Sequence, residues 1–213
     1  MLYGGAIGEL ELRRGSRGGG RRLTGSFPYN SNAVMSDGGR NGGRPRKERI
    51  APRAFAYRVE RPEEEIHLLV GHSYDRPLAS RANGTLKLKD TDAALTFEAD
   101  ISPEILDAPY GRNFAAAFDS GLIRGISPGF RIPPPRAVPK AEEVTEEDPA
   151  EGTALIRTIF AALLYELSLV TVAAYREAMA KEEEGAEEGR SWEINPMGII
   201  SPRPRHLLNR WRL

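Results

Sequence analysis

The 213-residue chain contains no cysteine, so disulfides, a thiol nucleophile and thiolate-bound metals are all excluded, and a reducing setting is permitted. No stretch approaches the roughly 20 apolar residues that a membrane helix requires. The opening MLYGGAIGELELRR lacks the basic stretch and apolar core of an export signal, so the expectation is a soluble, unexported protein. Net charge is also absent: 30 Lys and Arg balance 30 Asp and Glu. The charge is nevertheless unevenly spread. Residues 1–61 carry thirteen Lys/Arg against five Asp/Glu, whereas 140–152 and 176–190 are strongly acidic. Histidine is scarce. With only His67, His72 and His206, every histidine-based mechanism can be enumerated.

The length fits one ordinary hydrophobic core with ragged ends. Residues 13–22, RRGSRGGGRR, cannot bury apolar surface and read as the end of a flexible basic arm over 1–22. From Leu23, LTGSFPYNSNAVM mixes strand and turn residues, and SDGGRNGGRPRKER then reads as a glycine-rich basic loop. IHLLVGH, Ile66 to His72, is a short apolar run between polar flanks, as a buried strand would be. TLKLKD and AALTFEADI alternate apolar and polar residues, which predicts two antiparallel strands over Thr85–Ile101 with a turn near Asp90 and Asp92. Ser102-Pro-Glu signals a helix start, Pro109 and Gly111 a break, and Gly121 a stop. LIRGISPGFRI predicts another strand, followed by an exposed proline-rich acidic loop over 133–152. ALIRTIFAALLYELSLVTV has the β-branched content of two core strands. The AAYREAMAKEEEGAEEG segment reads as a short helix running into a charged tail, 181–213, that ends in a basic appendage.

A serine nucleophile needs a base to take its proton, a third group to orient that base, and donors facing the oxyanion. Ser127 lies in Gly125-Ile-Ser-Pro-Gly129, a formal G-x-S-x-G. The hydrolase elbow of that pattern uses the N–H of the residue after the serine. Here that residue is Pro128, which has none, so that reading is rejected. His67 and His72 differ in parity if one strand holds both, and His72, at the end and followed by Ser73 and Tyr74, is the better candidate base. Glu166 stands where LLYELSLVT would otherwise place a hydrophobe, and a buried carboxylate needs a cation or donors. Asp75 and Glu98 are alternatives for the orienting acid.

Several blocks follow in an order that resembles the tailed-phage prohead proteases, relatives of the herpesvirus capsid maturation protease. They are GSFPYN, ERIAPRAF, LLVGHSYDRPLAS, LTFEADI, GLIRGISPGFRI and LYELSLVTVAAYREA, spanning roughly Leu23 to Ala180. The resemblance implies an α+β, mainly β fold, a closed or partly closed antiparallel β-barrel flanked by helices, with the protease domain over 23–180. It implies Ser127 as nucleophile and His72 as base. The herpesvirus relatives use a second histidine as the third member, so here a carboxylate, Glu166 first, takes that place or the site is a dyad. Gly129, Phe130 and Arg131 are the nearest candidate oxyanion donors. The implied activity is cleavage of capsid scaffold protein, or the scaffolding segment of the major capsid protein, and of the enzyme itself. It would act inside the assembling prohead in the host cytoplasm, without metal or organic cofactor, and the herpesvirus relatives, which dimerise, point to a homodimer. Two other classes compete: an inactive assembly companion that binds scaffold, and a nucleic-acid binder gripping phosphates through RGSRGGGRR and the Arg-rich end, against which the zero net charge weighs.

Overall fold

Strict alternation dictates the first sheet. In the computed structural model, which describes residues 2–3, 10–14, 19–38, 43–171, 192–194 and 200–202, two two-faced runs pair antiparallel: β3 (Arg21–Pro28) and β9 (Ala94–Ile101). Leu23, Gly25 and Phe27 of β3 face Ala99, Phe97 and Leu95 of β9, all buried. A one-residue slip of β9 would turn Leu95, Phe97 and Ile101 to solvent, a loss of about 5–9 kcal/mol at 1.5–3 per large side chain. β2 (Leu10–Arg14) and β8 (Leu86–Asp90) flank this pair, giving the order β2-β3-β9-β8. The predicted strands over Thr85–Ile101 and their turn are present.

The basic arm departs from expectation. Arg13 and Arg14 belong to β2 and face Arg22 and Arg21 of β3, so both ends of RRGSRGGGRR are strand. Residues 15–18, between them, lie outside the described residues. Acids reach the cations of β3: Arg21 makes two hydrogen bonds to Asp119 at 2.7 and 3.0 Å, and Arg22 bonds Asp100 at 2.9 Å. Leu10 and Leu12, packed on the core, supply the apolar face that composition alone hid.

The second sheet runs β11-β12-β5-β4, formed by β4 (Asn32–Ser36), β5 (Arg46–Ile50), β11 (Glu142–Glu146) and β12 (Leu155–Ile159). RKER was expected to belong to a loop; Arg46–Ile50 is strand, paired antiparallel with β4 and in parallel with β12, more than a hundred residues away. β11 lies within the acidic 133–152 segment and is exposed throughout. Glu147 just beyond it is buried and held by Lys47 at 2.6 Å, a contact that keeps its carboxyl below the usual range.

The third sheet carries Ser127 and Glu166 of the candidate residues. Its order is β1-β10-β13-β6-β7, from β1 (Leu2–Tyr3), β6 (His67–Val70), β7 (Ser73–Ser80), β10 (Gly125–Arg131) and β13 (Leu163–Val170). Phe27, Phe55 and Phe130 bridge the first and third sheets, with ring centroids 6.3 Å (Phe27–Phe55) and 5.8 Å (Phe55–Phe130) apart. Three helices complete this unit among the described residues: α1 (Ala56–Val59), α2 (Pro103–Asp107) and α3 (Pro109–Asp119). Ser102 caps α2, and the chain breaks at Ala108 because the residue before a proline avoids helical ψ. Arg81 forks onto four carbonyls, those of Arg58, Val59, Arg61 and Glu64, and so ties α1 and the turn after it to β7.

The fold is therefore mainly β with few helices. Among the described residues the pairings leave the sheets open and no closed barrel forms. Two pairs, β5 with β12 and β6 with β13, are parallel rather than antiparallel. The chain divides into two compact units, Met1–Met179 and Ala180–Leu213. In the second, β14 (Trp192–Ile194) pairs antiparallel with β15 (Ile200–Pro202). The helix expected from Ala173 onward lies outside the described residues, as does His206. No helix among the described residues is long and apolar enough to cross a membrane.

Candidate active site

Three neighbouring strands position the site. β13 lies between β10, antiparallel to it, and β6, parallel to it. On β10, Ser127 stands opposite Ser168 and Gly129 opposite Glu166. Residues directly opposite in a ladder project to one side, with Cβ atoms about 4.5–5.5 Å apart. Glu166 and Ser168, two apart on one strand, share a face. Ser127, Ser168 and Glu166 are therefore neighbours on one side of the sheet.

His72 reaches this group from a hairpin turn. Strand β6 ends at Val70, which pairs with Ser73 of β7, so only Gly71 and His72 make the connection. Both have positive φ, +62° and +60°, as a two-residue loop matching the strand twist requires. Glycine adopts this freely; for histidine it costs about 1 kcal/mol or more. The cost is met by anchoring, since both amides of the turn bond to β13. Gly71 N–H donates to the Leu169 carbonyl at 3.1 Å, and His72 N–H to Ser168 Oγ at 2.9 Å. Because His72 sits in the turn, the parity argument that separated it from His67 does not apply. His67 lies in β6, stacked edge-on to Tyr74 with ring centroids 5.6 Å apart.

Glu166 is fully buried. Its Oε1 lies 2.7 Å from His72 Nδ1, and its Oε2 accepts the Ser168 hydroxyl at 2.7 Å. Both carboxylate oxygens are satisfied, which is the condition for keeping such a group inside a protein. Gly129 makes room for it. A Cβ built there would stand 2.0 Å from Glu166 Oε1 and 2.7 Å from Cδ, so the carboxylate lies across the bare backbone of β10. Ser127 is 5% exposed, and its strand is buried along all but its last residue.

The expected residues Ser127, His72 and Glu166 are thus brought to one region. Of the alternatives to Glu166, Asp75 is exposed on β7, and Glu98 lies in another sheet beside Lys87 and Arg22, 3.7 Å from each. Arg131 packs its guanidinium 5.4 Å from the ring centre of Tyr165. Sequence reasoning missed Ser168 and assigned Gly129 no packing role. The i, i+2 spacing of Glu166 and Ser168 was the available signal for the first; the second required knowing which strand lies opposite.

Chemically, a carboxylate at Nδ1 holds the neutral imidazole with its proton on that nitrogen and its lone pair on Nε2, and stabilises the ring once a second proton arrives. That is the equipment of a general base. Among the described residues no cluster of His, Asp and Glu is arranged to hold a metal ion. In comparison with known proteins, a family model described as caudovirus prohead serine protease matches residues 31–191. No curated protein and no solved structure matches the chain.

Proposed function

This chain belongs to the caudovirus prohead serine protease family and is a serine peptidase of capsid maturation; we propose that Ser127 is its nucleophile, His72 its general base and Glu166 the acid that orients the base. The observation that carries this reading is the 2.7 Å contact of His72 Nδ1 with the buried Glu166 carboxylate, on the strand next to Ser127 and on its side of the sheet.

In this reading Ser127 Oγ attacks the scissile carbonyl carbon while its proton passes to His72 Nε2. The tetrahedral intermediate collapses, the C–N bond breaks, and the imidazolium returns the proton to the leaving amine. A water then gives its proton to His72 and attacks the acyl ester, releasing the new carboxyl end and restoring the serine. Glu166 remains ionised throughout and offsets the charge on the ring. Pro128 cannot donate to the oxyanion. Gly129 and Phe130, where the ladder with β13 shifts register, are the nearest backbone donors.

The substrates are capsid scaffold protein or the scaffolding segment of the major capsid protein, and the chain itself, cut within the assembling prohead in the host cytoplasm. No cofactor takes part. Coexpression with capsid and scaffold proteins, followed by mass spectrometry of the fragments, tests the reading. Ser127→Ala and His72→Ala should lose the same cuts. Cuts that persist in Ser127→Ala would overturn it and leave an assembly companion as the alternative.

A further inference from the structure

We infer that Ser168 is a positioning residue for proteolysis, a hydroxyl that locks the base and its carboxylate to each other. The inference rests on the reading of Ser127, His72 and Glu166 given above, and adds a fourth side chain that acts only through two of them.

Ser168 is fully buried, in the middle of β13. A buried hydroxyl has one proton to give and lone pairs to receive. Here the partners fix which does what. The His72 amide can only donate, so Ser168 Oγ accepts from it at 2.9 Å; an ionised carboxylate can only accept, so the Ser168 proton points at Glu166 Oε2, 2.7 Å away. The direction of the hydrogen bonds is therefore set from the His72 backbone, through Ser168, to Glu166, and from His72 Nδ1 back to Glu166 Oε1. Main chain and side chain of one histidine are tied to one carboxylate in a closed ring.

Each part of this ring does something the others cannot. The amide bond holds His72 at φ +60°, a conformation that histidine adopts reluctantly and that brings its side chain over β13. The bond to Oε2 leaves the carboxylate one orientation, in which Oε1 is turned to Nδ1. Ser168 also faces Ser127 across the ladder, so the residue that sets the base is the register neighbour of the nucleophile. Catalysis is sensitive to errors of about 1 Å in such groups, and here two anchors of the base share a single oxygen.

Ser168→Ala removes the acceptor for His72 N–H and the donor to Glu166 while deleting only one atom. With a peptide spanning a mapped scaffold cut, its kcat should fall about 10- to 100-fold, up to the cost of a misplacement of about 1 Å in a reacting group. KM should be unchanged, and in the Ser127→Ala background Ser168→Ala should leave the peptide Kd unchanged. Ser168→Thr, which keeps the hydroxyl, should recover most of kcat. Thermal melts identify the folded fraction to which each rate is referred. A wild-type kcat in Ser168→Ala, a loss confined to KM or to the folded fraction, or a Thr variant as slow as Ala would overturn the inference. Turnover surviving in Ser127→Ala would instead remove the reading beneath it, so the two failures are told apart.

Discussion

Placing a methyl group at Gly129 perturbs the site without touching any group that exchanges a proton. The added Cβ would meet Glu166 Oε1 at 2.0 Å, Cδ at 2.7 Å and Cγ at 2.9 Å, where contacts below 3.0 Å are essentially never seen. Something must move by about 1 Å, a displacement that costs about 10²-fold when it separates reacting groups. The carboxylate cannot swing aside freely, because it accepts from His72 and Ser168 at 2.7 Å each. At about 1.5–3 kcal/mol for a hydrogen bond to a charged group, leaving both costs about 3–6 kcal/mol. Gly129→Ala is therefore expected to lower kcat by about 10²-fold and to lower the denaturation midpoint. Peptide hydrolysis by the purified variant, with urea melts alongside, measures both. Gly25→Ala is the control. Its Cβ would meet the Phe97 ring at 2.4 Å in a different sheet, so it should lose stability and keep the kcat of the folded fraction. A Gly129→Ala enzyme with wild-type kcat would refute the claim that the carboxylate's seat on β10 sets the base.

Other expectations follow from the same contacts. Glu166→Gln keeps the shape but cannot offset the imidazolium charge, and steady-state kinetics should show kcat down by as much as about 10⁴-fold with the fold retained. Arg81→Leu strips the guanidinium from four carbonyls; a urea melt should show a loss of about 2–3 kcal/mol, while the kcat of the folded fraction stays as it was. Burial raises the Glu48 carboxyl above the usual range against the pull of Arg157. A raised folded-state value means that the folded protein holds the proton more tightly, so this stabilisation is complete below the unfolded value and fades as pH rises through the folded one. Melting Glu48→Gln beside the wild type should give the variant its largest advantage at neutral pH, shrinking as pH falls toward the ordinary glutamate range. Glu147, lowered by Lys47, should show the opposite sign: Glu147→Gln costs stability at neutral pH and little in acid.

Local pattern announced what local physics determines. The alternation of β8 and β9, the Ser102 cap, and the break before Pro109 are properties of neighbouring residues, and each is found where the sequence placed it. What stayed hidden was non-local. RKERI is strand between β4 and the distant β12, and the flanks of RRGSRGGGRR are strand because Leu10 and Leu12 have a core to face. Composition argued for loops in both cases because Gly and Arg dominate the windows. The site shows the same division. Ser127, His72 and Glu166 could be singled out one at a time, from a glycine-flanked serine, a scarce histidine and an acid in an apolar run. Ser168 and Gly129 acquire meaning only once β10 and β13 are in register. The positive φ of His72 was in principle legible, since Gly71-His72 between two strand-forming runs is the length of a tight hairpin.

Treating the purified enzyme with a fluorophosphonate and locating the adduct by peptide mass spectrometry tests the pairing of serine and base most directly. The account predicts a single adduct on Ser127 in the wild type and strongly slowed labelling in His72→Ala. An adduct on another serine, or undiminished labelling of Ser127 without His72, would contradict it.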